Sequence, residues 1–461
     1  MSPKPHGGGR PRRNFESRPQ RPTPQPPVQE ATSFEALGVP APIAAALARS
    51  GITTPFPIQS ATLPDSLAGR DVLGRARTGS GKTIAFAIPL AGTLLAAEHR
   101  RTPTRPGALV LVPTRELAAQ VARTVTPLAE AVGLRCATVF GGVSQGPQTA
   151  ALRRGVDILV ATPGRLEDLI AQRQCALDRV CITVLDEADL MADLGFLPAV
   201  RRLLDQTPAG GQRLMFSATL DGAVAGIANR YLHDPAEHSV DPAEASTELL
   251  EHHLFTVQTG DKAAVVAELA AGVDRTLLFT RTKHGARKLA RHLSSAGIPA
   301  AELHGNLSQP AREQNLAAFS AGKVRVLVAT DIAARGIHVD DISLVVHVDP
   351  PEEHKSYLHR SGRPARAGAA GSVVTIATPE QARSVAALFR KANVRPNTAA
   401  VRPGDPRTLA LAGPPAERRL PSPVSPLAKP APRASGKRPN AGSRQARQPR
   451  GPRRAATRRS A

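Results

Sequence analysis

Short apolar runs alternate with amphipathic stretches along most of the chain, and the runs fall into two series. The first series contains ALVLVPT (108–114), DILVATPG (157–164), ITVLDEAD (182–189) and RLMFSAT (213–219). The second contains RTLLFTRT (275–282), VRVLVATD (324–331), LVVHVD (344–349) and SVVTIATP (372–379). Each run is apolar at consecutive positions, which is typical of a strand that helices cover on both faces in a parallel sheet.

Helix-like segments such as RELAAQVARTVTPLAEAV and AREQNLAAFSAG lie between the runs. Strands that alternate with helices predict an α/β fold with two parallel-sheet domains of similar build. The stretch HDPAEHSVDPAEASTE (233–248) is polar and has no periodicity, so it predicts a linker. We therefore place the first domain at 31–235, the linker at 236–248 and the second domain at 249–395. Ligands of such sheets bind at the carboxyl ends of the strands, so we expect the chemistry just after each run.

The charge of the chain changes this picture at both ends. The net charge is +22, and residues 1–30 carry six basic against two acidic residues. Residues 401–461 carry fifteen against two. Both ends are rich in Pro, Gly, Ser and Ala, so we predict disordered basic tails over 1–30 and 396–461. Such tails attract nucleic acid by counterion release, which we favour over a purely solubilising role.

The cysteines and the N-terminus add little chemistry. Cys136, Cys175 and Cys181 form no C-x-x-C pair, which argues against a disulfide framework or a zinc site. No run of about 18 apolar residues is present, and no apolar stretch follows the basic N-terminal residues. We therefore expect a cytoplasmic protein with no membrane partner.

The segment ARTGSGKT (76–83) fits a phosphate-binding loop, with Ala76 in place of the usual first glycine. Glycines let backbone N–H groups close around phosphate oxygens, Lys82 reaches the outer phosphates, and Thr83 is suited to ligate Mg²⁺. An apolar stretch precedes the loop and a helical pattern follows it, which disfavours a chance Gly-rich turn. The predicted nucleotide-binding residues are Ala76, Arg77, Thr78, Gly79, Ser80, Gly81, Lys82 and Thr83.

The apolar run ITVL ends abruptly in Asp186, Glu187, Ala188 and Asp189. Carboxylates at the end of a buried strand are costly unless a partner of opposite charge is present. The phosphate loop supplies the reason, because a nucleotide arrives with a metal ion. We predict that Asp186 holds Mg²⁺, together with Thr83, and that Glu187 orients and deprotonates the attacking water.

The DEAD tetrad, residues 186–189, resembles that of the DEAD-box RNA helicases of superfamily 2. The resemblance runs in order over residues 34–379, about three quarters of the chain. Its segments are GITTPFPIQ (51–59), PTRELA (113–118), GG (141–142), TPGR (162–165), SAT (217–219), LLFTRT (277–282), HGNLSQPAREQ (304–314), ATDIAARGIHV (329–339) and HRSGRPAR (359–366). It implies two tandem RecA-like domains and RNA-stimulated ATP hydrolysis that drives local RNA unwinding or RNP remodelling, in a general bacterial type with a basic C-terminal tail.

The same resemblance implies roles for individual residues. Gln59 would read the adenine edge and Phe34 would pack on its ring, while Gly336 and His338 would also lie on the ATP side. Ser217 and Thr219 would couple the acid site to the domain interface, and Arg363 and Arg366 would reach the γ-phosphate. The expected RNA-backbone contacts are Pro113, Thr114, Arg115, Gly142, Thr162, Gly164, Arg165, Gln309, Arg312 and Thr330.

Two positions depart from the family pattern and keep alternatives open. His338 stands where the family usually has Asp, and Pro364 stands where it usually has Thr. Proline removes an N–H donor and restrains φ, which could misplace the neighbouring arginines. One alternative is a weak or inactive ATPase that acts as an RNA clamp or annealing chaperone through its basic tails. Another is a DNA-directed helicase of the same superfamily.

Overall fold

The computed structural model describes residues 33–76, 79–240, 250–334, 339, 341–362 and 371–419. These residues form two α/β lobes, which we call lobe 1 (33–240) and lobe 2 (250–419). Each lobe is built around a parallel seven-stranded sheet with helices on its faces, so the predicted fold class is confirmed. Among these residues, no helix is long and apolar enough to cross a membrane.

Lobe 1 contains the strands β1 Val72–Arg75, β2 Ala108–Leu111, β3 Cys136–Val139, β4 Ile158–Ala161, β5 Ile182–Leu185, β6 Gln212–Ser217 and β7 Ala236–Ser239. Its helices are α1 Ala41–Arg49, α2 Pro57–Leu67, α3 Lys82–Ala96, α4 Arg115–Glu130, α5 Gln145–Arg153, α6 Pro163–Ala171, α7 Ala188–Asp193, α8 Leu197–Leu204 and α9 Gly222–Tyr231. The strand order is β3-β4-β2-β5-β6-β1-β7. One apolar core lies on each face of this sheet.

Lobe 2 contains the strands β8 Leu250–Thr256, β9 Arg275–Phe279, β10 Ala300–Leu303, β11 Val326–Ala329, β12 Ile342–His347, β13 Gly371–Ala377 and β14 Asn397–Ala400. Its helices are α10 Lys262–Leu269, α11 Lys283–Ser295, α12 Gln309–Ser320, α13 Asp331–Ala334, α14 His354–Ser361, α15 Ala382–Lys391 and α16 Pro406–Ala412. The order β10-β11-β9-β12-β13-β8-β14 repeats that of lobe 1, strand for strand. The central strands β2, β4, β5, β6, β9 and β11 are almost wholly buried, as their apolar sequences predict.

Two predicted boundaries are wrong. The linker was expected from residue 236, but residues 236–239 form β7, which pairs in parallel with β1. The C-terminal tail was expected from residue 396, but β14 pairs with β8, and Thr408 of α16 donates a hydrogen bond to Glu268 at 2.9 Å. Both segments look polar because they form or follow edge strands, which have one neighbour and little burial. The proposed N-terminal tail (1–30), most of the linker and residues 420–461 lie outside the described residues.

The three cysteines are free thiols. Burial raises the pKa of Cys136 to about 11 and that of Cys175 to about 12, so both stay protonated at neutral pH. Within the described part of the chain, no group of three or more His, Cys, Asp or Glu side chains is arranged to hold a metal ion.

Candidate nucleotide and RNA site

The phosphate loop joins β1 to the first turn of α3. Gly79 and Gly81 have φ values of 91° and 90°, a backbone conformation that residues other than glycine rarely adopt. A Cβ on Gly81 would also lie 2.5 Å from Gln59 Nε2. Ala76 is buried and its N–H donates to the Ser217 carbonyl oxygen, which ties the start of the loop to β6. The Ala in place of the first glycine is therefore accommodated without a positive φ.

Lys82 is the first residue of α3, and it is paired with the acids that follow β5. Its ammonium donates to Glu187 Oε1 at 3.0 Å, and only 5% of Lys82 is exposed. Burial opposes the charge on Lys82, but the carboxylates of Glu187 and Asp186 outweigh it and raise its pKa. The structure thus brings together the loop lysine and the acid pair, which are more than 100 residues apart in the sequence.

The acids carry more negative charge than Lys82 neutralises. Asp186, Glu187 and Asp189 are all buried, with exposed fractions of 2%, 9% and 3%. Burial, opposed by Lys82 and reinforced by Glu187, raises the pKa of Asp186 to about 7. A buried site with an excess of carboxylates favours a bound cation. The Asp186 carboxylate and the hydroxyl of Thr83, in the first turn of α3, are hard oxygen ligands of the type that Mg²⁺ prefers.

Glu187 adopts an unusual backbone conformation. Its φ is 52° and its ψ is 53°, in the left-handed region, and it serves as the N-cap of α7. A non-glycine residue in this region costs about 1 kcal/mol or more and persists only where its surroundings impose it. The Glu187 N–H donates to Asp186 Oδ1 at 3.0 Å, which locks the two acids together. The strain therefore aims the Glu187 side chain at the phosphate loop.

Gln59 lies beside the loop, and the side chains of Gln59 and Phe34 are both buried. Gln59 is fully buried, its Oε1 accepts from the Phe56 N–H at 2.8 Å, and its Nε2 donates to the Gly81 carbonyl at 3.0 Å. Phe34 is 2% exposed and belongs to the core of lobe 1. Gln59 thus connects the segment GITTPFPIQ directly to the phosphate loop. The adenine contacts expected of Gln59 and Phe34 stay predictions, because both side chains are engaged within the protein.

Ser217 and Thr219 surround Asp189, the third acid. The Ser217 hydroxyl accepts from the Asp189 N–H at 3.2 Å and donates to the Thr219 carbonyl at 2.7 Å. Asp189 Oδ2 accepts from both the N–H and the hydroxyl of Thr219. His359, on α14 of lobe 2, places its Nε2 at 3.9 Å from the same carboxylate oxygen. A continuous set of contacts therefore runs from the acid site to the other lobe.

The RNA residues predicted on lobe 1 meet at the carboxyl ends of β2, β3 and β4. The Arg115 guanidinium packs so closely on Gly142 that a Cβ there would lie 1.8 Å from Nη1. Arg165 reaches the Val143 carbonyl at 3.5 Å, while Gly164 faces open space. Thr114 and Thr162 are the N-cap residues of α4 and α6, Thr114 through its side chain, and Pro113 precedes Thr114. The structure thus brings all seven predicted residues to one edge.

Two of the three RNA residues predicted on lobe 2, Gln309 and Arg312, contact lobe 1. Gln309 and Arg312 are 3% and 8% exposed. Arg312 Nε donates to Glu116 Oε1 at 2.7 Å, and Gln309 Oε1 accepts from Arg115 at 3.5 Å. Thr330 follows β11, with its N–H bonded to the Leu303 carbonyl. In this arrangement the polar atoms of Gln309 and Arg312 serve the contact between lobes, and their RNA contacts stay predictions.

Several predicted site residues lie outside the described residues. They are Arg77, Thr78, Gly336, His338, Arg363 and Arg366, and Pro364 lies among them. Three partners in the site were missed by sequence reasoning: Asp189, Glu116 and His359. Each stands inside a quoted motif, so the signal was present. Their function is to contact other side chains of the protein, and such contacts depend on distances that the motifs do not contain.

Two family models match residues of both lobes. Residues 56–226 match the DEAD/DEAH box helicase model, and residues 261–368 match the helicase conserved C-terminal domain. The DEAD-box ATP-dependent RNA helicase 3B, chloroplastic, of Zea mays is 41% identical over 78% of this chain. The chain spans only 49% of that protein, about half its length. The ATP-dependent RNA helicase RhlB of Vibrio parahaemolyticus is 39% identical over 77% of this chain and 83% of its own length.

Solved structures show the same arrangement of two lobes. The structure titled S. cerevisiae Dbp5 bound to RNA and ADP BeF3 superposes with a TM-score of 0.71 at 25% identity, over 80% of this chain and 96% of that one. Mss116p bound to ssRNA and AMP-PNP gives a TM-score of 0.72 at 26% identity, over 83% and 82% of the two chains. Both have the fold that the two sheets describe.

Proposed function

This chain belongs to the DEAD-box family of ATP-dependent RNA helicases, and we propose that it hydrolyses ATP in an RNA-stimulated manner to open short RNA duplexes or remodel RNPs. The observation that carries the proposal is the 3.0 Å contact between Lys82 of the phosphate loop and Glu187 of the DEAD strand end. Similarity to RhlB proteins of bacteria supports a bacterial setting, and we propose that the protein acts in the cytoplasm. RNA is the proposed partner, bound through its backbone without sequence preference.

The Lys82–Glu187 pair suggests how substrate binding starts the reaction. The outer phosphates of ATP compete with Glu187 for the Lys82 ammonium, because both are anions within reach of the same cation. Once Lys82 binds phosphate, the Glu187 carboxylate becomes available to orient a water and accept its proton. Glu187 therefore acts as a base only when a nucleotide is present. General bases of this kind contribute about 10²–10⁴-fold to rate.

We propose that Thr83 and Asp186 hold Mg²⁺ with the nucleotide. The excess of buried carboxylates around Lys82 and the raised pKa of Asp186 both support a cation at this place. Magnesium sites in nucleotide-binding proteins use one or two protein oxygens, the remaining ligands being water and phosphate. When bound, the metal would supply charge neutralisation for the transferred phosphoryl group.

The contacts between lobes supply the dependence on RNA. The motifs expected to touch RNA, those around Arg115 and Gln309, are joined across the lobes by hydrogen bonds. The motifs expected to touch ATP are joined through Asp189 and His359. RNA and ATP would then favour the same arrangement of the lobes, and each would strengthen the binding of the other. Hydrolysis removes one of the two ligands and so releases RNA.

The test is steady-state ATP hydrolysis with and without single-stranded RNA, for the natural chain, Glu187→Gln and Glu352→Gln. Glu352 is the matched control, because its side chain is 80% exposed and distant in sequence from the acid site. We expect RNA to stimulate the natural chain and the control, and Glu187→Gln to bind ATP but lose about 10²–10⁴-fold of its turnover. Single-stranded DNA of equal length should stimulate less.

Two results would contradict the proposal. Tight RNA binding with negligible turnover by the natural chain would favour the RNA clamp or annealing chaperone, a reading that depends on His338 and Pro364. Equal stimulation by DNA would favour a DNA-directed helicase. A Pro364→Thr variant separates these cases further, since restored turnover in that variant would attribute the weakness to proline.

A further inference from the structure

The end of the lobe 1 sheet opposite the nucleotide site carries an unusual concentration of arginine. Four loops enter the amino ends of β2, β3, β4 and β5 there: residues 97–107, 131–135, 153–157 and 172–181. Together they contain eight arginines and three acidic residues, whereas residues 33–240 as a whole contain 20 basic and 18 acidic residues. The rest of lobe 1 is therefore slightly acidic, and the positive excess is confined to this end. We call these four loops the amino edge.

Two of the eight arginines have structural roles that hold the loops together. The Arg101 guanidinium donates to the buried Asp157 carboxylate at 2.6 Å and to the Gly133 carbonyl at 3.0 Å, which joins three of the loops. Asp157 also accepts from the Arg135 N–H at 2.8 Å. Arg105 pairs with Asp178 of the fourth loop. The amino edge is therefore one connected surface.

The other six arginines project from this surface without an acidic partner. They are Arg100, Arg135, Arg153, Arg154, Arg173 and Arg179, all exposed. Among the described residues, none of the six has a carboxylate within 4.0 Å, although Arg153 bonds Gln174 and Arg179 bonds the Thr102 hydroxyl. Unpaired arginines brought together by four separate loops repel one another, at a cost that a bound polyanion removes. The arrangement thus favours a multivalent anion.

The composition of the amino edge indicates which class of multivalent anion it would bind. Its loops contain no Phe, Tyr or Trp, so they offer no platform on which bases could stack. Protein partners are usually anchored by aromatic or large apolar side chains, and none is exposed in these loops. Guanidinium groups match phosphate with two parallel hydrogen bonds. A depression of about 480 Å³ lies beside Arg100 and Arg179, and its lining also includes Glu98, Asp178 and Gly210, where a Cβ would meet open space.

We propose that the amino edge of lobe 1 is a second RNA-binding surface, which holds the phosphate backbone of RNA outside the nucleotide-dependent site. It lies across the sheet from the predicted RNA residues around Arg115 and Arg165, because parallel strands place their two ends on opposite edges. A short RNA in the first site does not reach it, whereas a long RNA or a structured flank does. The inference rests on the proposed function for its ligand, since that function supplies RNA to the protein.

The test compares two triple variants of the full chain with the same loss of charge. Arg100→Gln/Arg135→Gln/Arg154→Gln removes three exposed arginines from three loops, and none of their side chains makes a described hydrogen bond. The control, Arg201→Gln/Arg383→Gln/Arg390→Gln, removes three exposed arginines on α8 and α15. Affinity is measured for single-stranded RNAs of about 8 and about 40 nucleotides, lengths below and well above one site. Salt is varied from about 50 to 200 mM.

For the long RNA we expect the amino-edge variant to bind about 10-fold more weakly, with a slope of log K against log salt lower by about 2, since each lost phosphate contact contributes about 0.7. The control should keep the natural slope, and the short RNA should not distinguish the variants. Turnover of ATP at saturating RNA should be unchanged in both.

Equal slopes for the two triple variants would overturn the proposal, because net charge alone would then explain the affinity. Loss of polyglutamate binding with unchanged RNA binding would also overturn it, and would assign the surface to an acidic protein. Absence of RNA-stimulated hydrolysis in the natural chain would contradict the proposed function alone. The comparison of RNA slopes would still test the amino edge.

Discussion

The two lobes share one topology and place a lysine and an acid at the same points of it. In lobe 1, Lys82 begins the helix after the first strand and pairs with Glu187, two residues beyond the fifth strand. In lobe 2, Lys262 begins the helix after the first strand and pairs with Asp349 at 2.9 Å, two residues beyond the fifth strand. The repeated strand order therefore brings both pairs together without regard to function.

What differs is the surroundings of the pair. The side chains of Lys82 and Glu187 are 5% and 12% exposed, against 21% and 32% for Lys262 and Asp349. Two glycines with positive φ shape the loop before Lys82. The loop before Lys262 has one glycine, Gly260, and its φ is not positive. Burial raises the pKa of Asp186 to about 7 beside the first pair. Burial also acts on Asp349, but the Arg281 N–H and Lys262 outweigh it and lower its pKa.

This contrast distinguishes a candidate catalytic site in lobe 1 from a structural ion pair in lobe 2. Lobe 2 holds a satisfied pair, in which one acid matches one lysine and a backbone donor. Lobe 1 holds three buried acids against one lysine, an imbalance that a bound metal ion would correct. Topology places the residues, and the glycine loop, the extra acids and the burial make them a candidate catalytic site.

The largest expected effect comes from removing each lysine in turn. Lys82→Gln should lower RNA-stimulated ATP hydrolysis by about 10²–10³-fold, since it removes the buried positive charge that we propose binds the outer phosphates. Lys262→Gln, its matched control, should stay within about twofold, because a partly exposed pair contributes about 1 kcal/mol or less. Both are measured as initial rates at saturating RNA. A comparable loss in Lys262→Gln would mean that the second pair also takes part in turnover.

Sequence patterns predicted the buried strands and missed those at the sheet edges. The overlooked edge strands, β3, β7, β10 and β14, are the outermost strands of the two sheets. The sequence pattern predicts a linker at β7 and a tail at β14. An edge strand has one neighbour and partial burial, so it needs few apolar residues and leaves a weak pattern. β8 alternates buried and exposed positions and was missed for a similar reason.

Motif reasoning selected residues that the structure brings together, and it missed the contacts that other motif residues make within the protein. Lys82, Asp186 and Glu187 meet because loop and strand end share one sheet edge, which topology predicts. The inward turn of Gln59 and the burial of Gln309 depend instead on packing between distant segments. Such contacts have no period and no local composition, so they require coordinates.

The next largest effect tests whether lobe 2 ends where its sheet ends. A chain that stops at residue 396 lacks β14, the buried Val401 and Thr408, and the packing of Leu411 on the core. We expect it to lose about 4 kcal/mol of unfolding free energy, at about 2 kcal/mol for each of two apolar side chains. A chain that stops at residue 420 should unfold in urea like the natural protein. If the chains that stop at residues 396 and 420 were equally stable, residues 397–419 would belong to the tail and would not stabilise lobe 2.

Two histidines make lobe 2 sensitive to acid. His252 Nδ1 lies 2.6 Å from the Tyr357 hydroxyl, and His347 Nδ1 lies 3.0 Å from the Thr375 hydroxyl beneath α14. Burial, reinforced by His253, lowers the pKa of His252 to about 4. Burial, reinforced by Arg360 and His252, lowers the pKa of His347 well below its usual value.

Between pH 6.5 and 4, these histidines are therefore protonated in the unfolded chain but remain neutral in folded lobe 2. The free energy of unfolding falls as the pH falls through this window. His252 alone should cost up to about 3 kcal/mol by pH 4, and above pH 6.5 its contribution is constant. Urea unfolding from pH 7.5 to 4.5 measures the loss. His252→Gln keeps a polar partner for Tyr357 and should reduce the slope. A slope that does not change would assign the acid sensitivity to other groups.

The smallest expected effect comes from breaking an ion pair that joins the two lobes. Lys355, on α14 one turn before His359, pairs with Asp221 of lobe 1 at 2.5 Å. The hydrogen bond to Lys355 lowers the pKa of Asp221, and the hydrogen bond to Asp221 raises that of Lys355. The Asp221 side chain also caps α9 by accepting from the Val224 N–H, so its charge and its capping must be separated. Asp221→Asn does so, because Asn is an equally good N-cap.

In a double-mutant cycle, Lys355→Gln and Asp221→Asn should each lower the apparent RNA affinity in the ATPase assay by about three- to fivefold, with little change in saturated rate. The double variant should be no worse than either single one, since both remove the same interaction.

Lys355→Glu should lose about 10-fold in apparent RNA affinity, because it places a third acid against Asp221 and Asp189. These losses should shrink at about 0.5 M salt, where partly exposed charges are screened. Lys391→Glu, on the exposed face of α15, is the matched reversal and should behave like the natural chain. Additive single losses would mean that Lys355 and Asp221 act separately, and that the lobes are held together by the Glu116–Arg312 contact without this pair.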